Sequence, residues 1–335
     1  MNGLIDKVFD RMLMKLIGFL TVSLAFWGQP MTAAYADEGP IVIAHRGASG
    51  YRPEHTRLSY RLGIEQGADY IEPDLVMTKD GHLVARHDIY LSGTTDVADR
   101  NEFADRKRVL EGHEDWFVFD FTLAELKSLK ARQPRLSRGT QYDGSETILT
   151  IDEIIALTED AASNGQKVGL YIEMKRPELF IALGLDPTEP LTRVFNKLSE
   201  KGIPSYFQCF NGDFLKLLGQ HVSAPLIWLI EGVEDKETGS YVLEEAIDTY
   251  GTDIAGIGIN KALLVDGSGK PTGIVEKAHR LGFKIHVWTL RDDQVAPMFE
   301  TIEGELAAIW ALGVDGVFSD FPDTALVSRA KLAGH

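Results

Sequence analysis

The sequence predicts a closed parallel (β/α)8 barrel of the TIM type, with an inserted segment after the second strand. Three observations carry this. Apolar runs that read as strands alternate with stretches of helical spacing from Ile41 to Ser319. About eight such strands can be counted, the number at which a parallel sheet closes on itself. No G-x-G-x-x-G follows the first strand, as an open, doubly wound nucleotide-binding sheet would need. The chain has 335 residues, 44% of them hydrophobic, enough for one large core.

The elements follow in order. Arg11 and Lys15 flank the start of an apolar run, Leu16 to Trp27, and Ala34-Tyr35-Ala36 follows. A basic region, a short apolar region and an A-x-A site predict a signal peptide over 1–36, cleaved before Asp37. The run is shorter than the roughly 20 residues a membrane span needs, so no stable membrane insertion is expected after cleavage. The mature chain, 37–335, is expected in the periplasm or secreted. The first strand is Ile41–Ala44; it breaks at Gly47 and Gly50, and a helix from Arg57 to Gln66 stops at Gly67. A second strand runs from Tyr70 to Met77, and Lys79-Asp80-Gly81 turns it into a third piece, Leu83 to Arg86. Residues 89–147 form the insertion, rich in charge, with a helix from Leu123 to Lys130 entered through Thr122 and Glu125. Trp116, Phe117, Phe119 and Phe121 argue that it packs over one end of the domain. Thr150 and Glu153 open the next helix. Further strands are expected at Val168–Met174, Tyr206–Phe210, Pro225–Ile230, Ile254–Ile259, Lys284–Leu290 and Gly316–Ser319, each followed by a helix.

Composition excludes some functions. A net charge of −16 makes nucleic acid an unsuitable partner, though a small phosphate can still bind a locally positive site. The single cysteine, Cys209, allows no internal disulfide and reads as a buried strand residue. No zinc-type spacing occurs.

Active sites of such barrels lie at the carboxyl ends of the strands. His45 and Arg46 end the first strand, and His87 ends the hairpin arm. Glu72 and Asp74, two apart on a strand, should face the same way. Glu173 and Lys175 repeat that spacing, and Trp288 lies toward the end of a later strand. Glu72, Asp74 and Glu173 form an all-oxygen set suited to Ca²⁺ or Mg²⁺ rather than zinc. The bland alternative is that these acids form ion pairs with Arg46 and Lys175, since crowded carboxylates must be offset somehow. Two imidazoles beside such a set suit acid–base catalysis, and Arg46 with Lys175 suits the oxygens of a phosphate. Trp288 offers an apolar wall. His55 and His82 are secondary.

In their order and context, His45-Arg46-Gly47, Glu54, Glu72-Pro73-Asp74 and His87-Asp88 resemble the signature of the glycerophosphodiester phosphodiesterase family. The wording GASGYRPEHT and DLVMTKDGHLVARHD is most similar to its exported bacterial branch. The resemblance spans about Ile41 to Asp323. Two positions depart from the usual pattern. His55 stands where most of the family has Asn, although the exported branch tolerates His, and Pro73 replaces a more usual Gln or Ile. The resemblance implies hydrolysis of a small glycerophosphodiester to sn-glycerol 3-phosphate and an alcohol, in glycerol and lipid metabolism. It implies Glu72, Asp74 and Glu173 as metal ligands, Ca²⁺ as the ion in the exported branch, and His45 and His87 as the acid–base pair. It places Glu54 near the metal or the glycerol; otherwise Glu54 would cap the helix that follows. The family's mechanism lets the substrate's own glycerol hydroxyl attack first, giving a cyclic phosphate that water opens. The rival readings are a phospholipase D-like enzyme acting on whole lipids, a carboxylate glycosidase, and a silent solute-binding protein.

Overall fold

A computed structural model describes residues 39–332, except 238, 245, 250, 252, 267 and 268. The predicted signal peptide lies outside the described residues. The strands are β1 (Ile41–Ala44), β2 (Tyr70–Ile71), β3 (Asp74–Met77), β4 (Leu83–Ala85), β5 (Arg108–Leu110), β6 (His113–Asp115) and β7 (Gly169–Met174). They continue as β8 (Ser205–Cys209), β9 (Leu226–Ile230), β10 (Val233–Glu234), β11 (Tyr241–Val242), β12 (Gly256–Asn260), β13 (Lys284–Leu290) and β14 (Gly316–Ser319). The ring closes in parallel: β1 pairs with β2, β2 and β3 with β7, then β8, β9, β12, β13 and β14 follow, and β14 returns to β1. Counting β2 and β3 as one stave gives eight, as predicted.

Two expectations are corrected. The run Tyr70 to Met77 is not one strand. It breaks at Glu72-Pro73, because proline has no N–H to give to the ladder. Below the break β2 pairs with β1 and β7; above it β3 pairs with β7 and, antiparallel, with β4. The same-face argument for Glu72 and Asp74 therefore fails in its premise. The second correction concerns β9, which is followed by the hairpin β10–β11 rather than by a helix.

Side-chain parity explains how the barrel presents its site. Ile43, Tyr70, Tyr171, Tyr206, Ile227 and Phe318 form a buried cluster inside the ring. Their strand neighbours, such as Val42, Ile71, Leu170, Ile172, Phe207 and Val317, belong to the larger core outside it. Alternate residues on a strand face opposite ways, so two residues beyond each inner one lies a group toward the mouth: His45, Glu72, Glu173, Gln208, Leu229 and Asp320. His286 sits in the inner layer, where its Nδ1 and the Tyr171 hydroxyl are 2.6 Å apart. Burial pushes its pKa down to about 4.

The segment after β4 is folded. It holds the 3-10 turns Val97–Asp99 and Asn101–Arg106, the hairpin β5–β6, and a helix Leu123–Ser128 closed by the Thr122–Glu125 capping box. Phe117 and Phe121 are fully buried, and each such side chain contributes roughly 1.5–3 kcal/mol by leaving water. The later part crosses the barrel mouth. Gln133 Nε2 donates to Ser49 O at 3.2 Å, and Arg138 Nη1 donates to the same carbonyl at 3.1 Å.

Candidate active site

A cavity of about 620 Å³ opens at the carboxyl ends of the strands. His45, Arg46, Glu72, Asp74, His87, Glu173, Lys175 and Trp288 all line it. The break in the second stave does not scatter the acids. Asp74 and Glu173 are register partners on β3 and β7. One oxygen each from Glu72, Asp74 and Glu173 lies within 4.8 Å of the others, and all three residues are buried.

The ion-pair alternative is partly present. Arg46 Nε lies 3.4 Å from Asp74 Oδ2, and Lys175 Nζ lies 2.7 Å from Glu173 Oε1. These cations do not satisfy the cluster. Asp74 Oδ1 is buried without a hydrogen-bond partner. Burial pushes the Glu72 carboxyl well above its usual range, and Asp74 and Glu173 beside it push it further. Glu173 is raised to about 8, first by burial and then, against the pull of Lys175, by Asp74. Burial alone would raise Asp74 too, but Lys175, His55 and Arg46 bring it well below the carboxylate range. An all-oxygen set short of positive charge, with an unpartnered oxygen in its midst, fits a hard divalent cation.

The remaining groups hold this set in place. Gln208 Nε2 donates to Glu72 Oε1 at 2.7 Å. His55 lies 3.1 Å from Asp74 Oδ2 through Nε2 and 2.8 Å from the Tyr60 hydroxyl through Nδ1. It is therefore a support for a carboxylate, not a second acid–base candidate. Its φ of +58° explains the usual Asn at this position: Asn and His enter the left-handed region more readily than most side chains. Arg46 is also left-handed, at φ +57°, and its backbone N–H donates to Glu72 Oε2 at 3.2 Å. Glu54 accepts from Arg46 Nη1 at 3.0 Å and does not cap the following helix; Thr56 does that, accepting from Ser59 N. Burial opposes ionisation of Glu54, but Arg46 beside it brings its pKa down to about 2.

His45 is oriented by a residue that the sequence reading missed. Its Nδ1 lies 2.5 Å from Asp320 Oδ1, while Nε2 faces Glu72 Oε2 at 3.7 Å. Burial, and then the Arg46 charge, lower the His45 pKa to about 3 in spite of Asp320. A neutral ring whose Nδ1–H donates to a carboxylate presents an unprotonated Nε2 to the cavity. Asp320 in turn accepts from Arg138 Nη2 at 2.6 Å and Arg291 Nε at 2.9 Å. The signal was available, since Asp320 directly follows β14 and the strand-end rule applies to the last stave as to the first. Gln208 lies near the end of β8, as the register partner of Glu173. His87 is more open, with its side chain 34% exposed and its Nδ1 2.8 Å from Asp88 Oδ1.

Trp288 stands edge-on to Phe210 with ring centroids 5.8 Å apart, and Phe210 is a second aromatic lining the cavity.

Comparison with known proteins gives the family and the fold. Residues 45–324 match the model of the glycerophosphoryl diester phosphodiesterase family. A glycerophosphodiester phosphodiesterase of Arabidopsis thaliana is 33% identical over 314 residues, 84% of each chain. Its counterpart in Haemophilus influenzae is 33% identical over 327 residues, 85% of this chain and 88% of that one. Among solved structures, a phosphodiesterase of this kind from Silicibacter pomeroyi superposes with a TM-score of 0.67 over 89% of this chain and 95% of that one, at 20% identity. A phosphodiesterase of Oleispira antarctica, solved with the product sn-glycerol-3-phosphate, gives 0.59 over 87% and 97%, at 24% identity. At these identities the two structures speak for the fold alone. By the family match and the relatives at one-third identity, this chain belongs to the glycerophosphoryl diester phosphodiesterase family.

Proposed function

We propose that this protein hydrolyses glycerophosphodiesters to sn-glycerol 3-phosphate and an alcohol, using a divalent cation. The observation that carries the reading is the convergence of three buried carboxylates, two imidazoles and an arginine at the mouth of one barrel, in a chain of this family. Glu72, Asp74 and Glu173 would hold the cation, which supplies charge neutralisation and polarisation of the phosphoryl group when bound. Arg46 and Lys175 hold the non-bridging phosphoryl oxygens and offset the charge that builds on them. One imidazole of the pair His45 and His87 takes the proton of the attacking hydroxyl as its oxygen bonds to phosphorus. The other delivers a proton to the oxygen of the departing alcohol as that P–O bond breaks. With the glycerol hydroxyl as first nucleophile, the product is a cyclic phosphate, which water opens by the same proton transfers in reverse. Trp288 covers the glycerol carbons, and Glu54 keeps Arg46 aimed.

Ca²⁺ is the ion proposed, with Mg²⁺ the alternative, and the exported branch of the family is the proposed affiliation. Support for both comes from the sequence: the His after Glu54, and the leader-like 1–36 with its A-x-A site. Among the described residues no helix is long and apolar enough to cross a membrane. Amino-terminal sequencing of the protein recovered outside the cytoplasm should begin at Asp37.

A coupled assay for glycerol 3-phosphate release from several glycerophosphodiesters, with and without EDTA, tests the function. Release that chelation stops and Ca²⁺ restores supports it. Release that survives full chelation would mean phosphodiester hydrolysis without the cation; no release, with EDTA-resistant cleavage of a glycoside, would favour the glycosidase reading, and release of an alcohol from intact phospholipid alone the phospholipase reading.

A further inference from the structure

The cavity is larger than the reaction centre. At about 620 Å³ it falls within the roughly 300–1,000 Å³ that accommodates a drug-sized molecule. It therefore has room for the alcohol half of the substrate beside the glycerol phosphate half. In the ring, β12 and β13 lie across the mouth from the staves that carry the three acids. Lys261 and Arg291 line the cavity on that far side, with the carboxylate Glu231 beside Asn260.

Two arginines define it. Arg291 follows β13 and lines the cavity; its Nε donates to Asp320 Oδ2 at 2.9 Å, and among the described residues its terminal nitrogens make no hydrogen bond. Arg135 arrives from the segment that crosses the mouth. It also lines the cavity, and among the described residues its guanidinium hydrogen-bonds only the side-chain oxygen of Gln294, at 3.4 Å. Arg138, three residues on, is the contrast. Its guanidinium is taken up by Asp293 at 2.9 and 3.0 Å, Asp320 at 2.6 Å and the Ser49 carbonyl at 3.1 Å. Burial and then the charge of Arg291 beside it make Arg135 less comfortable as a cation. Asp320 and Asp293 offset this only in part, and because arginine does not lose its proton in proteins the charge stays, so an anion entering the cavity would be favoured there. In a chain of net charge −16, two partly buried arginines lining one mouth, one of them without an ion pair among the described residues, are a local exception.

We infer that Arg135 and Arg291 form a second anion-binding subsite, which takes a carboxylate or phosphate carried by the alcohol half of the substrate. This rests on the function proposed above and adds the substrate class: glycerophosphodiesters whose leaving alcohol is itself anionic. A planar guanidinium recognises such groups in bidentate fashion.

The test compares four substrates with the same glycerol 3-phosphate half. The leaving alcohols are glycerol (neutral), glycerol phosphate, glycerate and choline (cationic). Wild-type enzyme should show kcat/KM higher by about tenfold or more for the two anionic alcohols than for glycerol, mostly through KM, with choline lowest. The glycerol phosphate and glycerate arms tell which anion the subsite prefers. Arg135→Gln should bring the anionic-to-neutral ratio close to one, and Arg135→Lys should keep part of it. A wild-type enzyme with no such preference, or a ratio that Arg135→Gln leaves intact, overturns the subsite while the hydrolysis itself stands. If none of the four substrates yields glycerol 3-phosphate, both the subsite and the proposed function fall. Should the melting temperature show that Arg135→Gln misfolds, the wild-type ratio and Arg135→Lys decide.

Discussion

Asp320 and His45, 275 positions apart in the chain, meet through a 2.5 Å contact between Oδ1 and Nδ1. They end the last and the first stave of the barrel, which are neighbours only because the sheet closes. The carboxylate fixes which ring nitrogen carries the proton, and Arg138 and Arg291 fix the carboxylate. Asp320→Asn keeps the shape and removes the charge that holds this tautomer. Steady-state kinetics should show kcat down by on the order of 10²–10⁴, with KM changed far less. An Asp320→Asn enzyme with wild-type kcat would remove the pair from the mechanism.

Removal of the metal should abolish turnover. Dialysis against EDTA should leave a folded, inactive protein that Ca²⁺ reactivates. Glu173→Gln should weaken cation binding by about 10-fold or more, because one of only three anionic ligands is lost. Isothermal titration with Ca²⁺ checks this without an activity assay, and equal affinity in the variant would place the ion elsewhere.

Cation binding should release protons, and its pH dependence has a definite sign. Glu173, at about 8, holds a proton at neutral pH without the ion, because burial and the Asp74 charge disfavour its ionised form, and Glu72 is shifted in the same direction for the same reasons. The ion needs both as carboxylates, so raising the pH toward and through 8 removes a competing proton and tightens binding. Acidification does the reverse. Calorimetry at pH 7 in two buffers of different ionisation enthalpy should report net proton release, and identical heats in both would contradict it.

His55 combines a left-handed backbone with two side-chain contacts, to Asp74 and Tyr60. His55→Val asks a β-branched residue to hold φ near +58°, at a cost of roughly 1–3 kcal/mol. It also frees the Asp74 carboxylate, which should weaken cation affinity by about 10–100-fold. His55→Asn should retain most of both. Denaturant melts and Ca²⁺ titration separate the two effects.

Phe121 is fully buried, and its ring stands 5.1 Å from that of Phe103 with an edge-on geometry. Phe121→Ala should cost about 3–5 kcal/mol if the insertion unfolds together with the barrel. A single cooperative urea transition at a lower midpoint is expected. Two separated transitions would mean that the insertion melts on its own.

Much of this was legible in the residues. Strand periodicity and the strand-end rule brought His45, Glu72, Asp74, Glu173 and Lys175 to one cavity, which is where the structure has them. The route was partly wrong for Glu72 and Asp74. Pro73 breaks their strand, and they converge because β3 pairs with β7 on one side of the break and β2 with β1 on the other. Arg135, Arg138 and Arg291 carried no local signal. Their significance lies in which partners they have, and a charge-rich insertion does not disclose which of its arginines will find a carboxylate.

Taken alone, the sequence determined the closed barrel, its acids and imidazoles, and the family to which they belong. These depend on local patterning and on the fixed polarity of a parallel strand, which sends a strand-end residue to one rim whatever its distant neighbours are. Only the tertiary structure decided which carboxylate orients His45, that Asp74 keeps an unpartnered oxygen, and that Arg138 is neutralised while Arg135 is not. Those outcomes depend on ring closure and on the packing of a segment from one part of the chain over staves from another, and no short-range rule encodes such contacts.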